Sequence, residues 1–478
     1  MRSIKVLLLE FNEINWSVID RLVAERGRAF LPHICRLKDQ GTWGTPVALE
    51  QPPHLDPWVT WVTVHTGVTQ AVHGAKVLEQ DAATVGAKRS WEYVAEAGYS
   101  IGIFGSVGAY PPSPVNGFVV PGPFAPGDDT FPKELEPIQS LNRRHTHAHG
   151  GSGRPDSLTD MMKAGWQLLR LGLKPATCAR IAKQLVLERA RRHAGWRRVM
   201  LQPLVNYDFF AAMYRRKRPD FATWHTNHAA HYMHHYWRAW SDTDFLHKGP
   251  EDDRARYGEA VPLGYRLCDE LLGRFMGLID SNTVLVICSS MGQQPFVNAA
   301  YRDGKVIVRF KDIQRFLQRV GAAGVTETVP TMVPQVNLRV PDPTLRAGLA
   351  ARIRGTVRTV NGQAQTGIVV DETGEILTVT PLGLSERSSG VTYEFPGVTG
   401  AWKLEDLFAM DAPTVKQGMH HPDGLFIAYG KGIAAGRQLG ACTNLDIAPT
   451  LMSLLGVPIP KAMSGRVLLP MAEVRGLQ

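Results

Sequence analysis

Short apolar runs closed by polar residues punctuate the chain at residues 6–9 (VLLL), 100–104 (SIGIF), 283–288 (TVLVIC) and 424–429 (GLFIAY). Runs of this length read as strands buried on both faces of a parallel sheet. Residues 200–205 (MLQPLV) read the same way, as a strand ending at Asn206 and Asp208. Between the runs the period changes. Trp16, Ile19, Leu22 and Val23 recur at helical spacing, and Pro32 opens a further helical piece through Ile34 and Leu37. Asp56 before Pro57 marks a helix start, with Val59, Val62 and His65 carrying the helix to Gly67. Residues 446–455 (DIAPTLMSLL) read as a closing helix capped by Asp446. Strands alternating with helices predict an α/β protein, a mostly parallel central sheet flanked by helices.

Two stretches depart from that rhythm. Residues 111–153 are rich in Pro, Gly and His (PPSPVNG, PGPFAPGDD, HTHAHGGSG), which predicts long surface connections, with His145, His147 and His149 open to nonspecific metal uptake. From residue 301 to 396 the pieces shorten: KVIVRF, a helix over 313–320, VPQVNLRV, a helix over 345–357, then GIVV and EILTV around the turn Glu372-Thr373-Gly374. This predicts a small α+β insertion, of ferredoxin-like kind, with its own core. The expected organisation is a core over 1–300, containing a basic helical segment at 160–200, the insertion at 301–396, and a closing part of the core at 397–478.

Composition narrows the class. The chain has 478 residues, 44% of them hydrophobic, which is too large for a stapled miniature scaffold. Five widely spaced cysteines form no C-x-x-C pair, so neither a disulfide framework nor a cysteine zinc site is expected. The N-terminal apolar run of four residues is too short for a signal peptide or a membrane span, which predicts a soluble cytoplasmic protein. Lys and Arg number 53 against 44 Asp and Glu, a net charge of +9. The excess is concentrated between Arg170 and Arg198, where nine bases meet Glu188 alone. Such a stretch suits a solvated helix face, a polyanion or a peripheral contact with an anionic membrane. No aromatic stacking pattern or recognised reading module accompanies the charge, so nucleic acid is not the expected partner.

Candidate chemistry lies at strand ends and in one histidine cluster. The first strand runs into Glu10, Asn12 and Glu13. TWHTNHAAHYMHHYWRAW carries His225, His228, His231, His234 and His235, and His231 and His235, four apart on a helix, share a face as two ligands of one metal must. Ser290-Met291-Gly292 and Gln293-Gln294 follow the strand TVLVIC, and His420-His421 precede GLFIAY.

Three of these segments together resemble the alkaline phosphatase superfamily, in its phosphodiesterase, nucleotide pyrophosphatase and sulfatase-like branch: the opening strand with Trp16-x-x-Ile19-Asp20, then Thr66-Gly67 with His73-Gly74, and finally HHPDGLFIAYGKGI continued by LDIAPTLMSLLGVPIPKAMSGRVL. The resemblance implies an alkaline-phosphatase-like core and a hydrolase or transferase of phosphate or sulfate esters. It also implies an Asp ligand where this chain has Asn12, an Asp-His pair where it has Ser290 and Met291, and a nucleophile at Pro57, near which stand Asp56, Thr60 and Thr63. Asp56 reads equally as a helix cap, and Thr60 as a hydroxyl bonded one turn back. The last family His matches His420. A two-zinc site cannot be assembled from this set. The expectation is a remodelled site with at most one divalent metal, zinc or manganese, on His231, His235 and His420, while alignment on Trp237 favours His234 instead and leaves the histidine register open. Glu10, Asn12, Glu13, Asp56 and Thr60 are the catalytic candidates, and His234, Ser290, Gln293, Gln294 and His421 are the candidates for contacting an anionic small molecule or glycan. Two alternatives stand beside it: metal-free acid–base chemistry by the carboxylates and histidines, and a noncatalytic protein binding an anionic glycan, nucleotide-sugar or lipid headgroup.

Overall fold

In the computed structural model the described residues are 4–469, except 53, 77, 79, 81–83, 148–157, 298–304, 323–326, 330–334 and 385–389. His149 lies outside them. The chain divides into two units: Met1–Tyr236, Ala255–Gln294 and His420–Gln478 form the larger, and Trp237–Arg254 with Pro295–Met419 the smaller.

The larger unit is built on an eight-stranded sheet. Its strands, in chain order, are β1 (Lys5–Phe11), β2 (Thr42–Gly44), β3 (Ile101–Phe104), β4 (Gly117–Val120), β5 (Phe221–Thr226), β6 (Thr283–Cys288), β7 (Phe426–Tyr429) and β8 (Arg437–Gln438). Across the sheet they stand in the order β8-β2-β7-β6-β1-β5-β3-β4. From β6 to β4 the strands are parallel, while β7 runs antiparallel to β6 and β2 antiparallel to β7. The fold is therefore α/β with a mostly parallel central sheet, as the alternation of runs and periods requires. β1 lies in the middle with Val6 to Phe11 all buried, because its apolar side chains meet helices on both faces. One face joins Val6 and Leu8 to Trp61, Val286, Phe426 and Leu451 in the main core.

Five helices position the chemically interesting and charged residues. α1 (Trp16–Arg26) starts at Asn15, whose side chain accepts from the Val18 amide at 3.2 Å. α2 (Pro57–Thr66) is followed by Gly67 in the left-handed region, φ 64°. α3 (Leu158–Leu171) and α4 (Pro175–Ala190) carry the basic stretch, and α5 (His228–Trp240) carries the clustered histidines.

Of residues 200–205, expected as a strand, Met200 closes a 3-10 helix and the rest belong to the 17-residue helix Leu201–Lys217. The apolar run continues through Tyr207, Phe209, Phe210 and Tyr214, all buried, and a run of that length folds as a buried helix. The strand that pairs with β1 on the side away from β6 is instead β5, FATWHT, whose polar letters hid it; its register sets Glu10 beside His225. The stretch 111–153 also holds more structure than its composition suggested, namely β4 and a helix over Glu136–His147.

The smaller unit has its own core, in which Phe316, Leu338, Ile353, Leu377, Tyr393 and Phe408 pack together. Among the described residues its strands form two antiparallel four-stranded sheets and one two-stranded pair rather than a single ferredoxin-like sheet. It extends beyond residues 301–396 because the strand Phe408–Lys416 pairs with Lys305–Phe310.

Candidate metal centre

β1 ends where its backbone stops pairing. The Asn12 amide donates to the Thr226 carbonyl at 3.0 Å, and Glu13 then takes φ 60°, a left-handed conformation that a residue with a long side chain adopts only when its surroundings hold it. The turn aims the Glu13 carboxylate over the C-terminal ends of the parallel strands, where open α/β sheets leave a crevice.

Three groups converge there. The Oε2 atom of Glu13 lies 3.1 Å from Nε2 of His234, on α5, and 3.8 Å from Nε2 of His420. One ligand atom from each residue lies within 4.8 Å of the other two. Glu13 is 2% exposed, whereas the imidazoles of His234 and His420 remain 19% and 16% exposed, so the cluster is rooted in the interior and open to solvent on its histidine side. Burial alone would raise the Glu13 pKa. The charges of His234 and His420 and hydrogen bonds from His234 and Gln293 outweigh it and hold the carboxyl at about 2.

Glu13 and His420 are held from behind. Nδ1 of His420 stands 2.7 Å from the Leu55 carbonyl oxygen and 3.1 Å from Oδ1 of Asp56. Once Nε2 gives up its proton, the proton on Nδ1 satisfies both acceptors and leaves the Nε2 lone pair directed at the cluster, the tautomer a metal-ligating histidine needs. Asn12 Nδ2 donates to Oε1 of Glu13 at 2.9 Å and to Oδ1 of Asn227 at 2.7 Å, while its own oxygen accepts from Nε1 of Trp61 at 2.7 Å. Gln293 Nε2 donates to Oε2 of Glu13 and, at 3.1 Å, to the Ala230 carbonyl. Gln294 Nε2 donates to the His420 carbonyl at 3.4 Å. One carboxylate and two imidazoles form a donor set suited to zinc, and equally to manganese or iron at higher coordination.

Of the residues singled out in the sequence, Glu13, Asn12, Asp56, Gln293, Gln294, His234 and His420 come together here, with His234 as a member of the cluster itself. His231 and His235 do not belong to it. Their rings face one another at 4.4 Å between centroids, on the same side of α5 as the spacing required, but the cluster draws its histidines from two elements instead of one helix face. Asp56 occupies the N-cap position of α2 without making a side-chain cap bond; its carboxylate turns to His420 instead.

Glu10 is fully buried elsewhere. Ser106 Oγ donates to its Oε1 at 2.8 Å, Nδ1 of His225 lies 3.1 Å from its Oε2, and Nε2 of His65 lies 3.6 Å from Oε1. Thr60 bonds to the Asp56 carbonyl one turn back, at 3.2 Å, and to Ser290 Oγ at 2.8 Å, with both residues buried. Met291 is closed into an apolar pocket with Ala48 and Leu55. Gly292 is required where it stands, since a Cβ there would sit 2.3 Å from the Asp423 carbonyl oxygen. His421 turns away and accepts from the Asp423 amide at 3.2 Å.

Sequence pattern assigns no role to Asn227, which braces Asn12, and only a passing one to His228. The latter is buried, with Nδ1 2.9 Å from Thr226 Oγ1 and Nε2 3.0 Å from the Gly264 carbonyl oxygen, and burial lowers its pKa to about 4 despite that hydrogen bond. It is a neutral structural histidine.

No family model and no curated protein matches the sequence. Among solved structures, murine ectonucleotide pyrophosphatase/phosphodiesterase 5 is similar over 95% of this chain and 96% of its own, with 12% identity and a TM-score of 0.42. The human protein of the same name is similar over 95% and 96%, with 11% identity and a TM-score of 0.43. An inactive murine variant in complex with AMP is similar over 96% of both chains, with 13% identity and a TM-score of 0.42. With TM-scores and identities this low, these similarities leave the chemistry of the chain to be argued from its own residues.

Proposed function

We propose that the protein is a hydrolase or transferase acting on a phosphate or sulfate ester, with one divalent cation held by Glu13, His234 and His420. The observation that carries this reading is the convergence of those three side chains at the carboxyl ends of the parallel strands. The fold by itself selects no chemistry. A cation in this set supplies the positive charge that polarises a phosphoryl or sulfuryl oxygen and eases deprotonation of water.

The chain's own residues supply the rest. Glu13 stays ionised at any working pH. Leu55 and Asp56 fix the orientation and tautomer of His420. The start of α2 lies beside His420, and the positive end of a helix suits an anionic substrate group. The hydroxyls of Thr60 and Ser290 are buried and bonded to each other, so neither is presented as a nucleophile, and water is the attacking group this arrangement favours.

The test is turnover of p-nitrophenyl phosphate, bis(p-nitrophenyl) phosphate and p-nitrophenyl sulfate by untagged protein supplied with zinc or manganese. The expected result is hydrolysis of at least one ester, falling by about two orders of magnitude in Glu13→Gln, the scale at which loss of charge stabilisation in a transition state is felt. Bound metal with no turnover of any ester, or turnover equal in Glu13→Gln, would overturn the reading and leave a protein that binds anions.

A further inference from the structure

Helix α4 buries polar side chains and leaves apolar ones outside. On α4 the residues turned inward are polar: Thr177 and Gln184 are buried, and Gln184 Nε2 donates to Oε1 of Glu188 and to the Ala194 carbonyl. The opposite face holds Ala182, Leu185, Val186 and Arg189, neighbours at helical spacing, and all four are exposed. Leu185 is 51% exposed and Val186 70%. On the preceding helix, α3, Trp166 is 57% and Leu169 45% exposed, and the Arg170 guanidinium lies over the Trp166 ring at 3.3 Å from its centroid. A helix packing on a core ordinarily turns its apolar face inward.

The bases around these side chains fall into two sets. Arg180 and Arg198 are committed, to Glu270 at 2.8 Å and to Glu188 at 2.5 Å. Lys183, Arg189 and Arg191 are exposed and have no carboxylate partner among the described residues. No helix among the described residues is long and apolar enough to cross a membrane.

We propose that α3 and α4 form a docking surface for an anionic lipid bilayer, on which Trp166, Leu169, Leu185 and Val186 enter the headgroup region while Lys183, Arg189 and Arg191 meet lipid phosphates. Charge complementarity selects this occupant. Unpaired bases interleaved with outward apolar side chains fit a surface that is anionic outside and apolar beneath, whereas a nucleic acid backbone makes no use of Leu185 or Val186. An arginine stacked on tryptophan suits the interface between the two zones.

The test is flotation of the full chain with vesicles of phosphatidylcholine alone or mixed with phosphatidylserine. Binding to the mixed vesicles and not to the neutral ones is expected. The triple variant Lys183→Gln, Arg189→Gln, Arg191→Gln should weaken it on the order of 100-fold, at about fivefold per base near an anionic surface. The double variant Leu185→Ser, Val186→Ser should weaken it while the circular dichroism spectrum stays native. Absence of binding overturns the proposal, as does binding that ignores the double variant. Equal affinity for a DNA duplex that survives the double variant would identify a polyanion site instead, and a dimer in sedimentation abolished by the double variant would identify a contact between copies of this chain.

Discussion

His228 shows what burial does to a single titratable group. Thr226 and the Gly264 carbonyl satisfy its two nitrogens in the neutral form, and its pKa is lowered to about 4. In the unfolded chain the ring takes a proton near pH 6.5. Between those values the unfolded state binds the proton and the folded state does not, so the stability this residue contributes is complete above pH 6.5 and is lost as pH falls through about 4. His65, likewise buried and held at about 4, adds to the same slope. The unfolding free energy from urea titration should therefore fall by a few kcal/mol between about pH 7 and pH 4, with a shallower slope in His228→Gln. An unchanged slope in that variant would mean that His228 is solvated or charged in the folded protein. At this scale the sequence names some residues that the fold brings together and others that it keeps apart. Glu10, Asn12 and Glu13 are visible as polar residues closing an apolar run, but only the left-handed turn at Glu13 decides which carboxylate meets His234 and His420. Three letters of sequence do not encode that turn.

Elements are legible in proportion to the contrast between their apolar run and its flanks. β1, β6 and β7 read correctly because four to six apolar residues end abruptly. β5 does not, since Thr223, His225 and Thr226 are polar yet buried or half-buried against Ser106, Glu10 and His228. Helix α2 teaches the opposite lesson. Its start is legible from Asp-Pro, but the capping role of Asp56 is not used, because the carboxylate serves His420. A capping Asp replaced by Ala costs about 1 kcal/mol. Asp56→Ala should cost less than that in unfolding free energy while weakening divalent metal binding by roughly 10- to 100-fold, the usual effect of losing a partner behind a metal-ligating histidine. Paired unfolding and metal titrations separate the two roles; a full capping penalty with unchanged metal affinity would reverse the assignment. The histidine register stays open in the sequence for a related reason. Spacing on one helix can show that His231 and His235 share a face, but not that a third element brings His420 to His234.

At the scale of the whole molecule, the cluster exists only because the fold joins distant parts of the larger unit. β1 delivers Glu13, α5 delivers His234, and the segment leading into β7 delivers His420. The pattern of strands and helices predicts the sheet on which these ends meet, and the resemblance to the alkaline phosphatase superfamily implies the same α/β core. What neither supplies is where the candidate residues come to lie: Met291 and Ser290 are packed away, and Glu13, one residue beyond Asn12, stands beside His234 and His420. The most direct test is elemental analysis of untagged protein after dialysis, for the native chain and for Glu13→Gln, His234→Ala, His420→Ala and His231→Ala. One divalent cation per chain, lost in the first three variants and kept in His231→Ala, is the predicted result. A native chain without metal after incubation with zinc, manganese or iron, or metal lost only in His231→Ala, would contradict the assignment of the site.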